Sequence, residues 1–323
     1  MSRRLTIRDV EVEDGTKKKG FLKVGEMPEA EVGLPLMIIH GREVGPTLCI
    51  TAGVHGNEYA GVQALMRLFT QTDPTIIRGS LIAVPVVNME GFRQHTYVSP
   101  LDGLNIWRIF PGKAKGSMSE IIAYTLFNEV IRRSDYLIDL HSGADVELYP
   151  LTFYIESGDE KVDRASEKLA KCFHTKYVWS SRAEDNYLGA GLLYSSSRGI
   201  PAICSEAGSM GKVDEASVAF HLTGISNVMK TLNMIDGKPE NIPVPTIIHR
   251  MHTVRTNRGG FWSPLLKVGS IVSEGELLGV VQNIFGEVLE EIRSPVGGVI
   301  WYYVAQPPVI SAGYEDTVII GEL

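Results

Sequence analysis

Cysteine is scarce in this 323-residue sequence, and the three present, Cys49, Cys172 and Cys204, lie far apart and form no C-x-x-C pair. Cys49 and Cys204 fall in apolar, strand-like runs, where a thiol behaves as a small buried hydrophobe. No signal-peptide apolar region follows Met1, and no apolar run approaches the roughly 20 residues that a membrane helix needs. These absences lead us to expect a reducing, cytoplasmic setting and no membrane. Positive charge is also in short supply. The net charge is −7, and Arg3-Arg4 and Lys17-Lys18-Lys19 are too few and too local to offset it, so nucleic acid is not an expected partner. Repeats and low-complexity tracts are missing as well. What is there, 44% apolar and 21% charged residues, is ordinary globular usage over a length sufficient for one large domain and a smaller one.

Apolar patterning places buried strands at 34–39, 47–52, 79–87, 136–140, 151–155 and 199–205, with a turn over 40–46. Helical spacing marks 59–70, 117–132, 159–173 and 213–234, and Ser117 with Glu120 forms a capping-box signature. Between 88 and 116 there is little periodicity but many functional side chains, and so long a loop in a compact domain is usually functional. The alternation predicts an α/β/α sandwich, with helices on both faces of a largely parallel or mixed sheet. Proline and glycine cluster over 236–245, and beyond them short alternating strands and turn signals predict a small all-β barrel-like unit. We therefore divide the chain into 1–244 and 245–323.

The stretch Thr51-Ala-Gly-Val-His55-Gly-Asn-Glu58 sits where an apolar strand gives way to a helix, the kind of place where α/β proteins bind ligands. A His and a carboxylate separated by two residues can converge on one cation there; the alternative is a solvated turn with Glu58 in the helix's first turn. A second strand ends in Asp139-Leu-His141 and a third in Glu206. Two histidines and a carboxylate form the ligand set of a hydrolytic zinc site. Asp139 shares a strand face with His141 and is placed to accept a hydrogen bond from its ring. Glu206, flanked by small residues, is available as the general base. Each group alone is more often a hydrogen-bonded loop histidine or a solvated carboxylate. Their recurrence at the ends of apolar strands favours a shared site.

The motifs Gly53-Val-His55-Gly-Asn-Glu58, Asp102-Gly, Arg108-Ile-Phe-Pro-Gly112, Asp139-Leu-His141-Ser-Gly and Pro201-Ala-Ile-Cys-Ser-Glu206-Ala-Gly, in this order, resemble the succinylglutamate desuccinylase/aspartoacylase family, whose members share the zinc-carboxypeptidase fold. The resemblance implies one zinc ion per chain, with His55, Glu58 and His141 as its ligands. It implies Glu206 as the acid/base that moves a proton from zinc-bound water to the leaving amine, and Arg108 as the holder of the substrate's carboxylate. Tyr194 and Arg198 match, at a different spacing, a substrate-binding pair of aspartoacylases. Two departures stand out. Trp107 replaces the asparagine that the family usually carries before the arginine, and Tyr97 stands where a second, carbonyl-polarising arginine is expected. Losing such a donor costs roughly 3–4 kcal/mol unless something substitutes.

The implied activity is zinc-dependent hydrolysis of the amide bond of an N-acyl amino acid or related small molecule. The alternatives are a metallocarboxypeptidase acting on small peptides and a non-catalytic metal- or ligand-binding relative. The segment 245–323 resembles the biotinyl/lipoyl barrel in strand rhythm. Its nearest lysine, Lys267, stands at a different turn from the carrier position, so a fixed lid or a contact in a homo-oligomer is the expected role.

Overall fold

The computed structural model describes residues 3–28, 30–186, 189–240, 243–313 and 317–323. The strands β1 (Arg4–Ile7) and β2 (Val10–Glu13) form a hairpin. The centre of the molecule is a nine-stranded sheet of β3 (Thr16–Glu26), β4 (Glu31–His40), β5 (Glu43–Ala52), β6 (Arg78–Val84), β7 (Tyr136–His141), β9 (Leu151–Glu156), β10 (Tyr177–Arg182), β11 (Ala202–Glu206) and β12 (Thr246–Ile248). Their spatial order is β12-β10-β9-β11-β7-β5-β6-β4-β3. The central run β11, β7, β5, β6 is parallel, whereas β4 on one side and β9 on the other join it antiparallel. This is the mixed sheet expected of the fold class. Two local differences have simple causes. The turn expected over 40–46 shrinks to two residues because β5 already begins at Glu43, and the strand expected to reach residue 87 stops at Val84, ahead of Pro85.

Helices cover both faces. On one side α1 (Ala60–Gln71), α4 (Glu160–Ala170) and α6 (Glu215–Thr231) enclose Leu65, Leu169, Val218 and Val228 against Ile50, Ile138 and Ile203 of the sheet. On the other, α3 (Met118–Glu129) and α5 (Gly191–Ser196) pack Ile122, Leu126 and Leu192 against Ile38, Ile82 and Cys204, with Ile7 and Val12 of the hairpin completing that core. Burying a side chain of this size contributes about 1.5–3 kcal/mol, so these two layers fix the sheet rigidly. The three cysteines are buried and unpaired. No described helix is long and apolar enough to cross a membrane.

The C-terminal segment forms two antiparallel sheets around Trp262, Leu278, Val281, Ile300 and Ile320. One contains β13 (Met251–Val254), β15 (Ile271–Val272), β18 (Gly298–Val304) and β20 (Val318–Glu322); the other contains β14 (Gly260–Pro264), β16 (Leu277–Gln282), β17 (Val288–Arg293) and β19 (Val309–Ile310). The short β8 (Val146–Leu148), which follows β7 almost directly, leaves the large sheet and pairs antiparallel with β18, Val146 opposite Val304 and Leu148 opposite Tyr302.

Candidate active site

Strand register brings the functional groups together. Parallel pairing sets Thr51 of β5 beside Asp139 of β7, and His141 of β7 beside Glu206 of β11. His55 and Glu58 lie in the tight turn between β5 and α1, so all these groups gather at the carboxyl edge of three adjacent strands. Glu58 precedes α1, whose first turn contains no acidic residue. The turn depends on Gly56. A Cβ there would lie 2.0 Å from the carbonyl carbon of Gly91, because α2 (Met89–Gln94) is laid against it and Gly56 N donates to Thr96 O at 3.0 Å. The six-residue helix α2, capped by Asn88 Oδ1 on Gly91 N at 2.9 Å, thus ties the long loop onto the turn.

His55 Nδ1 lies 2.7 Å from Glu58 Oε1, and His141 Nδ1 lies 3.0 Å from Glu58 Oε2. All three residues are buried, and one donor atom from each falls within 4.8 Å of the others. A carboxylate between two imidazole nitrogens needs positive charge to be stable there. Protons can supply it, and so can a cation. Burial works against charge at each group, but the pairing outweighs it: the imidazoles hold Glu58 down at about 2, while Asp139 and Glu58 hold His141 well above its ordinary value. The far nitrogens are also engaged. His141 Nε2 donates to Asp139 Oδ2 at 2.9 Å, Asp139 Oδ1 accepts from Thr51 Oγ1 at 2.6 Å, and His55 Nε2 faces Asn105 Oδ1 at 3.3 Å. With Ser142 N donating to Glu58 Oε2 at 3.1 Å, the three donor atoms are oriented from behind. This is the donor set and support that a zinc ion fits. Asn105, Thr51 and Ser142 were not evident as site residues from the sequence.

A cavity of about 330 Å³ opens over the cluster, lined among others by Glu58, Tyr97, Arg108, Asp145, Glu206 and Tyr302. Burial pushes the Glu206 carboxyl up to about 7; Glu58 and Asp139 add to the effect, and His141 opposes it. Tyr97 stacks on His55 with ring centroids 3.7 Å apart and an interplanar angle of 15°. Desolvation, then Glu58 and Glu206, hold its hydroxyl above the ordinary value, so it remains a hydrogen-bond donor. Trp107 meets the His141 ring edge-on at 6.3 Å and packs against the apolar core on the α3 face. Tyr194 and Arg198 are not brought to the cavity. On α5 and at its end they pair with each other, the guanidinium 4.7 Å over the phenol ring, and Tyr194 packs edge-on against Phe127.

A family model for the succinylglutamate desuccinylase/aspartoacylase catalytic domain matches residues 44–232, more than half of the chain. The chain belongs to this family. One relative is an N-alpha-acetyl-L-2,4-diaminobutyric acid deacetylase of Halomonas elongata, 27% identical over 287 residues, which are 85% of this chain and 82% of the relative. Among solved structures, a succinylglutamate desuccinylase/aspartoacylase from Rhodobacter sphaeroides is 26% identical with a TM-score of 0.84, covering 96% of this chain and 97% of its own. The product-bound ectoine utilization protein EutE (DoeB) from Ruegeria pomeroyi is similar in fold, with a TM-score of 0.89 over 100% of this chain and 99% of its own at 24% identity. Both structural likenesses extend through the C-terminal sheets, so this family member carries its β-rich unit in common with those relatives.

Proposed function

We propose that this family member is a zinc-dependent amidohydrolase that removes an acyl group from an N-acyl amino acid. The observation that carries the reading is that the His55–Glu58–His141 cluster opens, through Glu58, on a cavity also lined by the half-buried carboxylate of Glu206 and the guanidinium of Arg108. His55 and His141 would hold zinc through Nδ1, with Glu58 as the third ligand. When bound, zinc supplies a Lewis acid that acidifies water and polarises a carbonyl. Glu206, its carboxyl pushed towards neutral pH by partial burial beside Glu58, accepts the proton of the attacking water and returns it to the nitrogen of the departing amine. Arg108 pairs with the substrate's carboxylate, a task for a planar guanidinium. Tyr97 offers its hydroxyl to the carbonyl oxygen in place of a charged donor. The names of the relatives, a deacetylase and a desuccinylase of amino acids, support an acyl-amino-acid substrate.

The test combines metal analysis with turnover on a panel of N-acyl amino acids and dipeptides. Glu206→Gln should keep its zinc and lose about 10²–10⁴-fold in kcat, the range for removing a positioned acid/base. His55→Ala and His141→Ala should each lower zinc content. Full zinc in both histidine variants would overturn the ligand assignment, and wild-type turnover in Glu206→Gln would overturn the role of that carboxylate. Cleavage of dipeptides with no cleavage of N-acyl amino acids would favour a carboxypeptidase instead.

A further inference from the structure

The groups that act in the proposed reaction come from the carboxyl edge of the large sheet and from the long loop after β6. The seam between β8 and β18 brings something else to the same cavity. Val146 stands directly opposite Val304, and Leu148 opposite Tyr302. Alternation along the two strands places these four side chains on one face, and all four line the cavity. Leu148 and Val304 are 6% and 5% exposed. The backbone polar groups here are engaged elsewhere: Leu148 N donates to Ser209 Oγ at 3.1 Å, Val146 O accepts from Met210 N at 3.1 Å, and Val304 N donates to Thr317 O at 3.0 Å. Trp301, beside them on β18, also lines the cavity and is packed on the rings of Phe153 and Trp179, with centroids 6.5 and 5.7 Å away. What the seam offers a ligand is a fixed wall made mostly of hydrocarbon.

Such a wall discriminates among acylated amino acids by what it takes out of water. Among the described residues that line the cavity, Arg108 is the one cation, and in the reading above the substrate's carboxylate occupies it. A second carboxylate, on the acyl group or on the side chain, would lie against largely aliphatic surface with no second guanidinium or ammonium to meet it, which is costly. A hydrocarbon group placed there gains by leaving water. The volume, about 330 Å³, is within the range of small-molecule sites. We propose, resting on the deacylase reading above, that the substrate carries an uncharged hydrocarbon group that packs on Val146, Leu148, Trp301 and Val304. The group is the acyl chain or the amino acid's side chain, two sources of one chemistry. The substrates are therefore N-acyl amino acids of apolar character, not those with a second acidic group.

The experiment measures kcat/KM in the zinc-loaded protein along two series that start from N-acetyl-L-alanine. One lengthens the acyl chain through butanoyl to hexanoyl; the other lengthens the side chain through norvaline to norleucine. Succinyl-L-alanine and N-acetyl-L-aspartate are the charged controls of the two series. At least one series should rise by about fourfold per added methylene, the effect of burying one such group, and the charged control of that series should fall at least roughly tenfold below its apolar counterpart. A rise confined to one series identifies which group the wall receives. Val146→Thr combined with Val304→Thr keeps the branched shape and adds hydroxyls to the wall, so it should reduce the ratio between the ends of the rising series at least about fivefold. Calorimetric titration of the Glu206→Gln protein with the same compounds reads the trend as binding alone, and the wild-type series decides the matter if the double variant does not fold. Two flat series, charged controls that match their apolar counterparts, or a ratio that the folded double variant does not change overturns this inference and leaves the deacylase reading standing. No hydrolysis of any compound, with zinc bound, overturns both.

Discussion

Glu206 carries a consequence that can be measured with no metal present. Its carboxyl is pushed up to about 7 from 4.5, so the fold favours the protonated form. The stabilisation this gives is fully present below the ordinary value and is lost as pH rises through about 7. Glutamine has no such titration. In the zinc-free protein, the stability of wild type relative to Glu206→Gln should therefore fall by on the order of 1–3 kcal/mol between pH 5 and pH 8. Urea denaturation at a series of pH values checks this, and parallel stability curves for the two proteins would contradict it. Residues at this scale were unequally legible in the sequence. His55, Glu58, His141 and Glu206 each stand at the end of an apolar run, which is a local signal. Thr51 and Asn105 act on partners 88 and 50 residues away, and nothing in their own neighbourhoods points to Asp139 or His55.

Elements with a full period of apolar residues were readable, because burial of one face is what makes them strands or helices. The shorter ones were not. The helix α2 has six residues and α5 has six, too few for a 3.6-residue repeat to declare itself. Their positions come from caps and from contacts with distant chain. The loop from 88 to 116 illustrates this. It is pinned at one end to the Gly56 turn and in the middle by Asp102, whose carboxylate accepts from Ser119 N at 2.9 Å and Ser119 Oγ at 2.7 Å at the start of α3. Desolvation raises the pKa of that carboxyl, but the hydrogen bonds from the Ser119 hydroxyl and from the backbone N–H groups of Ser119 and Leu104 outweigh it and hold it below its ordinary value. A depressed carboxyl stabilises above its ordinary value and stops doing so as pH falls through the folded one. Asp102→Ala should cost about 1–2 kcal/mol at pH 7, the usual worth of a cap of this kind. The deficit should shrink below about pH 4. Thermal unfolding at pH 7 and pH 3 reads both, and an equal deficit at the two values would mean that the charge is not what anchors the loop.

For the whole molecule, the sequence conveyed two kinds of patterning but not how the parts are joined. The strand Thr246–Ile248 follows the proline-rich stretch yet lies in the large sheet beside β10, since its Thr-Ile-Ile has no feature that tells one sheet from another. The three residues of β8 were likewise too few to read as a strand. They nevertheless make the joint, because Val146 and Leu148 line the cavity together with their strand partners Val304 and Tyr302. Occupancy of the cavity and integrity of the seam are therefore linked, and linkage is reciprocal: a ligand that favours the closed seam is bound more tightly by it. In hydrogen–deuterium exchange, saturating a zinc-loaded Glu206→Gln protein with substrate should slow the amides of β8 and of residues 302–304. Those of β16 and β17, in the outer sheet, should keep their rates. Equal slowing throughout would point to general tightening. Slowing confined to the seam would make the pairing of a three-residue strand the gauge of whether the cavity is full.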